Sequence, residues 1–239
     1  MESIIQIRNL TKKYKIDGRV FKALNDINLK IDKGSFTTIV GKSGCGKSTL
    51  LRIIAGLEEA AEGKIIGREK IKSSLVFQEA RLMPWLTVEE NILFPLKKRR
   101  EKSESLKKVK EHLDLLGLND FKDAYPDQIS GGMAQRTALG RALVYDSDLI
   151  LMDEPLGSLD AFNRYKLQQE LQNIFSKNNK TVIFVTHDID EAIFLGDRVL
   201  IMESGSITEE FNLEQELDIS INKEKQLELK EKILAEIKV

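Results

Sequence analysis

Cysteine is almost missing from this chain. Cys45 is the only one in 239 residues, so no disulfide framework can form within it, and a reducing compartment is the expected setting. Long apolar runs are missing too. Stretches such as LILM at 149–152 and VIFV at 182–185 fall far short of the roughly 20 residues that span a bilayer. The opening MESIIQIRNLTKKYK is interrupted by charges and lacks the apolar block of a secretory signal. Neither sign of charge dominates: 37 Lys and Arg stand against 38 Asp and Glu, a formal charge of −1. That balance argues against a mainly electrostatic nucleic-acid binder, which is usually basic. What is present is 41% apolar and 31% charged residues. This is too apolar for a disordered chain and enough for one large domain, or one core with an inserted subdomain. The expectation is a soluble intracellular protein.

Residues 1–40 read as β-rich. SIIQIRNL (3–10) and ALNDINLKI (23–31) alternate apolar and polar side chains at period two, and Asp17-Gly18 between them is a turn signal. SFTTIV (35–40) is a short β-branched run entering a glycine-rich segment, a buried strand leading to a loop. A helix over 47–57, ending near Gly56, follows. SSLVF (73–77), DLILM (148–152), TVIFVT (181–186) and DRVLIM (197–202) are further strand candidates. Several are apolar on both faces, as in a parallel sheet covered by helices, so the fold class is α/β.

Residues 84–146 lack strand signals and read as an inserted helical subdomain. Thr87 and Glu90 fit a capping box. Leu106, Val109, Leu113 and Leu116 recur at helical spacing before a stop at Gly117. His112 matches no motif and is expected to face solvent. The run 97–110 carries eight basic and two acidic residues and reads as a solvated helix face. Leu229, Ile233 and Ile237 form one stripe, so an amphipathic C-terminal helix is expected to pack on the core. The expected organisation is a core of 1–83 and 147–210, a helical subdomain of 84–146, and a tail of 211–239.

GKSGCGKST at 41–49 matches the phosphate-loop pattern G-x-x-x-x-G-K-[ST], with an extra glycine inside. Gly41, Gly44 and Gly46 permit tight turns and close approach of a ligand. The amides of Lys42, Ser43, Cys45 and their neighbours then converge on phosphate oxygens, with the positive end of the next helix behind them. Lys47 supplies a point charge for the β- and γ-phosphates, Ser48 coordinates Mg²⁺, and Thr49 holds a further phosphate oxygen. Cys45 reads as a small residue that fits the loop, with a redox switch as the alternative. LILMDE at 149–154 is a hydrophobic strand ending in two acids, a costly arrangement unless they do work. Asp153 is placed to hold Mg²⁺. Glu154, one residue on, faces another way and is assigned as the general base that orients the attacking water. A guanine-specific site would carry N-K-x-D. Of the two Asn-Lys pairs, Asn179-Lys180 is followed by Thr181-Val182 and Asn222-Lys223 by Glu224-Lys225, so neither fits, which weighs against GTP. ISGGMAQR at 129–136 sets Ser130 as an N-cap, with Gly131 and Gly132 offering bare amides at a helix start.

With these residues together, the chain resembles the ATP-binding subunit of ABC transporters over roughly residues 1–210. The phosphate loop, ISGGM, LILMDE, GSLD (157–160) and VTHD (185–188) stand in that family's order and spacing. The signature departs from the family's LSGGQ at Ile129 and Met133. The resemblance implies a P-loop NTPase core with an antiparallel β-subdomain and a helical subdomain. It also implies two copies packed head to tail, with Mg-ATP between the phosphate loop of one and Ser130, Gly131 and Gly132 of the other. By the same resemblance Tyr14 would stack on adenine, and Gln78 would sense Mg²⁺ and link to the helical subdomain. Asp160 would bridge the copies, while His187 would contact the γ-phosphate and hold the water beside Glu154.

EARLMPWLTVEENI (79–92) holds the only tryptophan, Trp85. It reads either as a groove for a short helix of a membrane partner or as internal packing. This segment and the C-terminal LELKEKILAEI are similar to importer subunits for nitrate, sulfonate and taurine. That similarity implies an ATPase on the cytoplasmic face of a membrane, working with separate permease chains and an extracytoplasmic solute-binding protein. A soluble ABC ATPase of DNA repair or translation, an importer ATPase for another small solute, and a nucleotide-binding regulator without turnover stand as alternatives.

Overall fold

A computed structural model describes residues 2–96, 102–157, 159–178, 180–213 and 223–237. Part of the basic run (97–101), Ser158 of GSLD and part of the acidic tail lie outside the described residues.

The first two strands, β1 (Ser3–Ile16) and β2 (Arg19–Asp32), form a long antiparallel hairpin. Asp17 and Gly18, both at positive φ, turn it, as a two-residue hairpin requires. A further strand, β4 (Glu62–Ile66), pairs antiparallel with β1 and completes a three-stranded sheet. The second sheet has six strands in the order β5-β6-β7-β3-β8-β9. Its members are β3 (Phe36–Val40), β5 (Ser73–Val76), β6 (Leu149–Asp153), β7 (Thr181–Thr186), β8 (Arg198–Glu203) and β9 (Ser206–Asn212). All pairings are parallel except β8 with β9. Every residue of β3, β6 and β7 is buried, which is why these strands read as continuous apolar or β-branched runs. Neither β4 nor β9 is foreseen from sequence. Both are edge strands with largely exposed side chains, so they carry charges where alternation would otherwise reveal them.

Register decides what the sheet presents. Val40 lies opposite Thr186, Asp153 opposite Val185, and Val76 opposite Met152. The parallel strands therefore release the chain at one edge, where the crevice of an open α/β sheet binds its ligand. Gly41, Gln78, Glu154 and His187 all emerge there.

Between β3 and β4 runs α1 (Lys47–Ile54), shorter than the 47–57 expected. The Gly56 N–H reaches the Ile53 carbonyl at 3.1 Å, and the Leu57 N–H reaches that of Arg52 at 2.9 Å. With Gly56 at φ +76° this is a Schellman stop. Helices α2 (Val88–Leu93), α3 (Lys102–Leu115) and α4 (Gly131–Val144) fill the region between β5 and β6. The capping box at Thr87 and Glu90 is formed. Val109, Leu113 and Leu116 are buried as the stripe requires, but Leu106 is exposed and Ser105 takes the inward position. His112 is half-buried, not solvent-facing. Its Nδ1 lies 2.8 Å from the Lys108 carbonyl, and burial pushes its pKa down. These helices share one apolar cluster with Val76, Met152 and Phe184 of the sheet.

After β6 comes α5 (Ala161–Asn178), and α6 (Ile189–Leu195) follows β7. The last helix, α7 (Lys223–Glu236), buries Leu229 and Ile233 against Ile189 and Ala192 of α6 and Val199 and Ile201 of β8. Lys230 pairs with Asp190 at 2.6 Å. Each buried aliphatic contributes roughly 1.5–3 kcal/mol, so α7 is a packed element of the core.

At the crossing of α2, α3 and α4, a Cβ on Gly140 would lie 2.9 Å from Leu116 Cδ1 and 3.0 Å from Ile92 Cδ1. Both neighbours are fully buried. Overpacking costs about 1–3 kcal/mol and alanine regains about 1 in helix propensity, so Gly140→Ala should lose about 1 kcal/mol. A urea melt with unchanged m-value measures this.

Candidate functional site

The loop leaving β3 turns back on itself before α1. Gly46 stands at φ +109°, and a Cβ there would meet the Ala23 carbonyl oxygen at 2.4 Å, so only glycine fits. This bend buries Lys47 to 5% exposure. Its Nζ donates to the Gly41 carbonyl at 2.7 Å and the Lys42 carbonyl at 3.0 Å. Among the described residues no carboxylate forms an ion pair with it. A buried ammonium satisfied only by neutral carbonyls is costly, and an anion delivered to the loop completes it. Cys45 Sγ lies 3.9 Å from Lys47 Nζ. Burial pushes the Cys45 thiol up, against the pull of Lys47. That favours a small space-filling residue over a redox switch.

Ser48, in the first turn of α1, donates from Oγ to Asp153 Oδ1 at 2.8 Å. Asp153 is the last residue of β6 and 8% exposed. Burial raises its pKa, and the Ser48 hydrogen bond opposes that rise. A hydroxyl and a carboxylate meeting at the loop make a hard oxygen pair that suits Mg²⁺ held jointly with phosphates. Among the described residues no group of three or more His, Cys, Asp or Glu side chains converges to hold a metal.

Glu154 follows at φ +45°, a left-handed conformation that costs a non-glycine residue about 1–3 kcal/mol. Its N–H is held by the Val185 carbonyl at 2.9 Å. The twist sends two adjacent acids apart. Asp153 turns to Ser48, while Glu154 Oε2 lies 3.0 Å from His187 Nδ1. His187 leaves β7 exposed at 59%. Gln78 stands two residues past β5. Its Nε2 lies 3.8 Å, and Glu154 Oε2 4.0 Å, from where a Cβ on Gly157 would sit. Glu154 and His187 thus line one small space above the sheet edge, and Gln78 approaches it beside Gly157.

Tyr14, near the end of β1, is half-buried and not a core tyrosine. Its hydroxyl donates to Glu58 Oε2, with Thr49 also beside it, and Lys12 Nζ stands 5.1 Å from the ring centroid. Burial and Glu58 raise its pKa.

The remaining expected residues lie elsewhere. Ser130 caps α4, accepting from the Met133 N–H at 3.3 Å. Gly131 is open to solvent, with nothing within 4 Å of an added Cβ, and Gly132 faces Leu159. Asp160 caps α5, accepting the Asn163 N–H at 3.0 Å, and these bonds lower its pKa. Among the described residues no hydrogen bond joins Ser130, Gly131 or Gly132 to the loop 41–49. Within one chain the Ser130 helix start and the loop 41–49 are thus separate features.

Three charged residues beside the site are missed by sequence reasoning. Glu58 anchors Tyr14. Arg164 donates to the Leu159 carbonyl at 3.1 Å and stands 3.6 Å from Asp188, tying the segment before α5 to the residue after His187. Glu191 is 4% exposed and accepts from Gln168 Nε2 at 3.2 Å. The pattern Asp188-x-x-Glu191 is a helix-start signal, but nothing in it announces burial.

The chain matches known proteins along most of its length. The family model described as ABC transporter matches residues 24–157. An aliphatic sulfonates import ATP-binding protein of Bacillus cereus is 48% identical over 206 residues, covering 84% of this chain and 81% of that protein. A taurine import ATP-binding protein of Pelagibacter ubique is 43% identical, covering 82% of this chain and 77% of that protein. Among solved structures, the dimeric post-hydrolysis ATP-binding cassette MJ0796 bound to ADP and Pi superposes with a TM-score of 0.80 at 35% identity. It covers 87% of this chain and 98% of its own.

Burial raises the Glu191 pKa above its ordinary value of 4.5. The folded state therefore holds this proton more tightly than the unfolded state. Its contribution is full below pH 4.5 and is lost as the pH rises through the raised value. Glu191→Gln should melt about 2–4 °C higher than the parent at pH 7, an advantage that disappears as the pH falls toward 4.5. Calorimetric melts across this range measure it.

Proposed function

The chain belongs to the ABC transporter family and hydrolyses ATP with Mg²⁺ as the partner ion, and we propose that it does so as a head-to-tail dimer energising an importer. The observation that carries the site reading is Lys47, a buried cation with no carboxylate partner among the described residues.

Each residue has a task in this reading. The amides of Gly41 to Thr49 and the Lys47 ammonium hold the phosphates, with the N-terminus of α1 behind them. Ser48 and Asp153 would hold Mg²⁺, whose chemistry is to neutralise charge on the transferring phosphoryl group. Tyr14 offers a ring to the adenine. Glu154 accepts a proton from the attacking water at its carboxylate, and His187 orients that carboxylate through Nδ1. Gln78 closes the third side of the space. Ser130, Gly131 and Gly132 of the second copy supply bare amides and a hydroxyl to the same phosphates, and Asp160 lies at the seam. The separation of the half-sites within one chain supports this arrangement. ATP touching both copies binds the closed dimer better than the open one, and that difference drives closure.

The importer relatives support a membrane-associated subunit working with permease chains. Among the described residues no helix is long and apolar enough to cross a membrane. The relatives' names further support uptake of a small sulfonate or taurine-like anion, driven from the cytoplasmic face, with a solute-binding protein outside. Trp85, 70% exposed beside the Gln78 segment, favours a docking surface for the permease over internal packing.

Glu154→Gln should lower ATP turnover at least about a hundredfold, the scale of a lost general base, and trap an ATP-bound dimer on size exclusion. Near-parental turnover would remove Glu154 from that role. Trp85→Ala should keep intrinsic ATPase activity within about twofold. It should weaken permease binding about thirtyfold, as loss of a central aromatic anchor does. Co-purification and taurine uptake in vesicles report this.

A further inference from the structure

Residues 79–87 carry Trp85 away from Gln78 without forming helix or strand. The carbonyls of such a segment need partners from outside it. Two side chains supply most of them. Asn91, on α2 and fully buried, donates from Nδ2 toward the carbonyls of Leu86 at 2.9 Å, Thr87 at 3.0 Å and Met83 at 3.2 Å. Its Oδ1 accepts the Met83 N–H at 2.9 Å. Arg141, on α4, donates to the carbonyls of Ala80 and Arg81, each at 3.1 Å. A third side chain, the buried Gln135 of α4, donates to the Phe77 carbonyl at 3.0 Å. The segment from Phe77 to Thr87 is thus gripped by α4 at one end and α2 at the other.

The two helices are themselves locked. Ile92, next to Asn91, packs against Gly140, next to Arg141, at the crossing where an added Cβ would collide. Ser130 caps the N-terminus of this same α4. Arg141 sits 11 residues along from it, about 16 Å at the helical rise. Trp85, its segment, α2, α4 and Ser130 form a continuous chain of packed and hydrogen-bonded groups.

We propose that Asn91 and Arg141 are positioning residues that make the Trp85 segment one rigid body with α4, so that displacement of Trp85 is delivered at Ser130. This rests on the reading of Ser130 as the residue that meets the second copy's nucleotide. A partner pressing on Trp85 then moves the half-site that completes its neighbour's ATP, and by reciprocity ATP closure is felt at Trp85. Neither residue touches nucleotide, so each acts through the segment it holds.

Trp85 is the only tryptophan, so its emission reads the segment directly in the purified full chain. In a Glu154→Gln background, Mg-ATP should shift Trp85 emission. Arg141→Ala and Asn91→Ser should reduce that shift at least about twofold, the lower end of coupling changes along such networks. Nucleotide affinity by calorimetry and the melting transition should show a folded, ATP-binding chain throughout. Arg141→Lys, which keeps charge but loses the two-pronged grip, should fall between and serves if the alanine variant does not fold. A full emission shift in these variants overturns the proposal, because the signal then travels through Gln78 alone. An absent shift in the parent despite bound ATP overturns it as well. Absence of ATP binding in the parent would sink the underlying nucleotide reading instead.

Discussion

Parallel pairing of β5, β6, β7 and β3 in a single register is the constraint on which the rest depends. Four chain segments, distant in sequence, are released at one edge because strands in the same direction end together. Gly41, Gln78, Glu154 and His187 share a neighbourhood for that reason alone. A slip of one residue in β6 would exchange the faces of Asp153 and its neighbours and carry that carboxylate away from Ser48. Complete burial of β3, β6 and β7 makes such a slip expensive. The chemistry is thereby protected by the packing.

On this frame the chain builds two incomplete surfaces. One holds a buried cation, a hydroxyl–carboxylate pair and a carboxylate–imidazole pair. The other is a helix start with open glycines. The second is carried by helices that share an apolar cluster with the sheet and are bound to the Gln78 segment by side-chain hydrogen bonds. Packing and hydrogen bonds thus connect the two surfaces within a chain, and in the proposed dimer each completes the other across the two copies.

Much of this was legible in the sequence because the relevant signals are local. The phosphate loop shows itself in a glycine pattern with a strand before it and a helix after it. β3, β6 and β7 show themselves as unbroken apolar or β-branched runs, and Thr87-x-x-Glu90 as a helix start. Other features depend on tertiary placement and leave no such mark. β4 and β9 are edges whose outward residues are polar, so no alternation marks them. Leu106 and Ser105 exchange their expected positions because the face of α3 is set by α2 and α4, not by α3 alone. The partners of the Tyr14 hydroxyl, Glu58 and Thr49, come from a distant part of the chain and leave no mark around Tyr14 in the sequence. Asn91, Arg141 and Glu191 are ordinary polar helix residues by composition, and only the fold reveals what each one holds.

The left-handed backbone at Glu154 has a consequence for how this protein drifts over generations. Glycine or asparagine would rest there more comfortably, so the residue that folding prefers is not the one that the proposed chemistry uses. Relaxed selection on turnover would let that position slide toward a sturdier and silent protein, with the nucleotide pocket intact. A descendant that had lost this carboxylate would then be recognisable as a binder by its greater robustness.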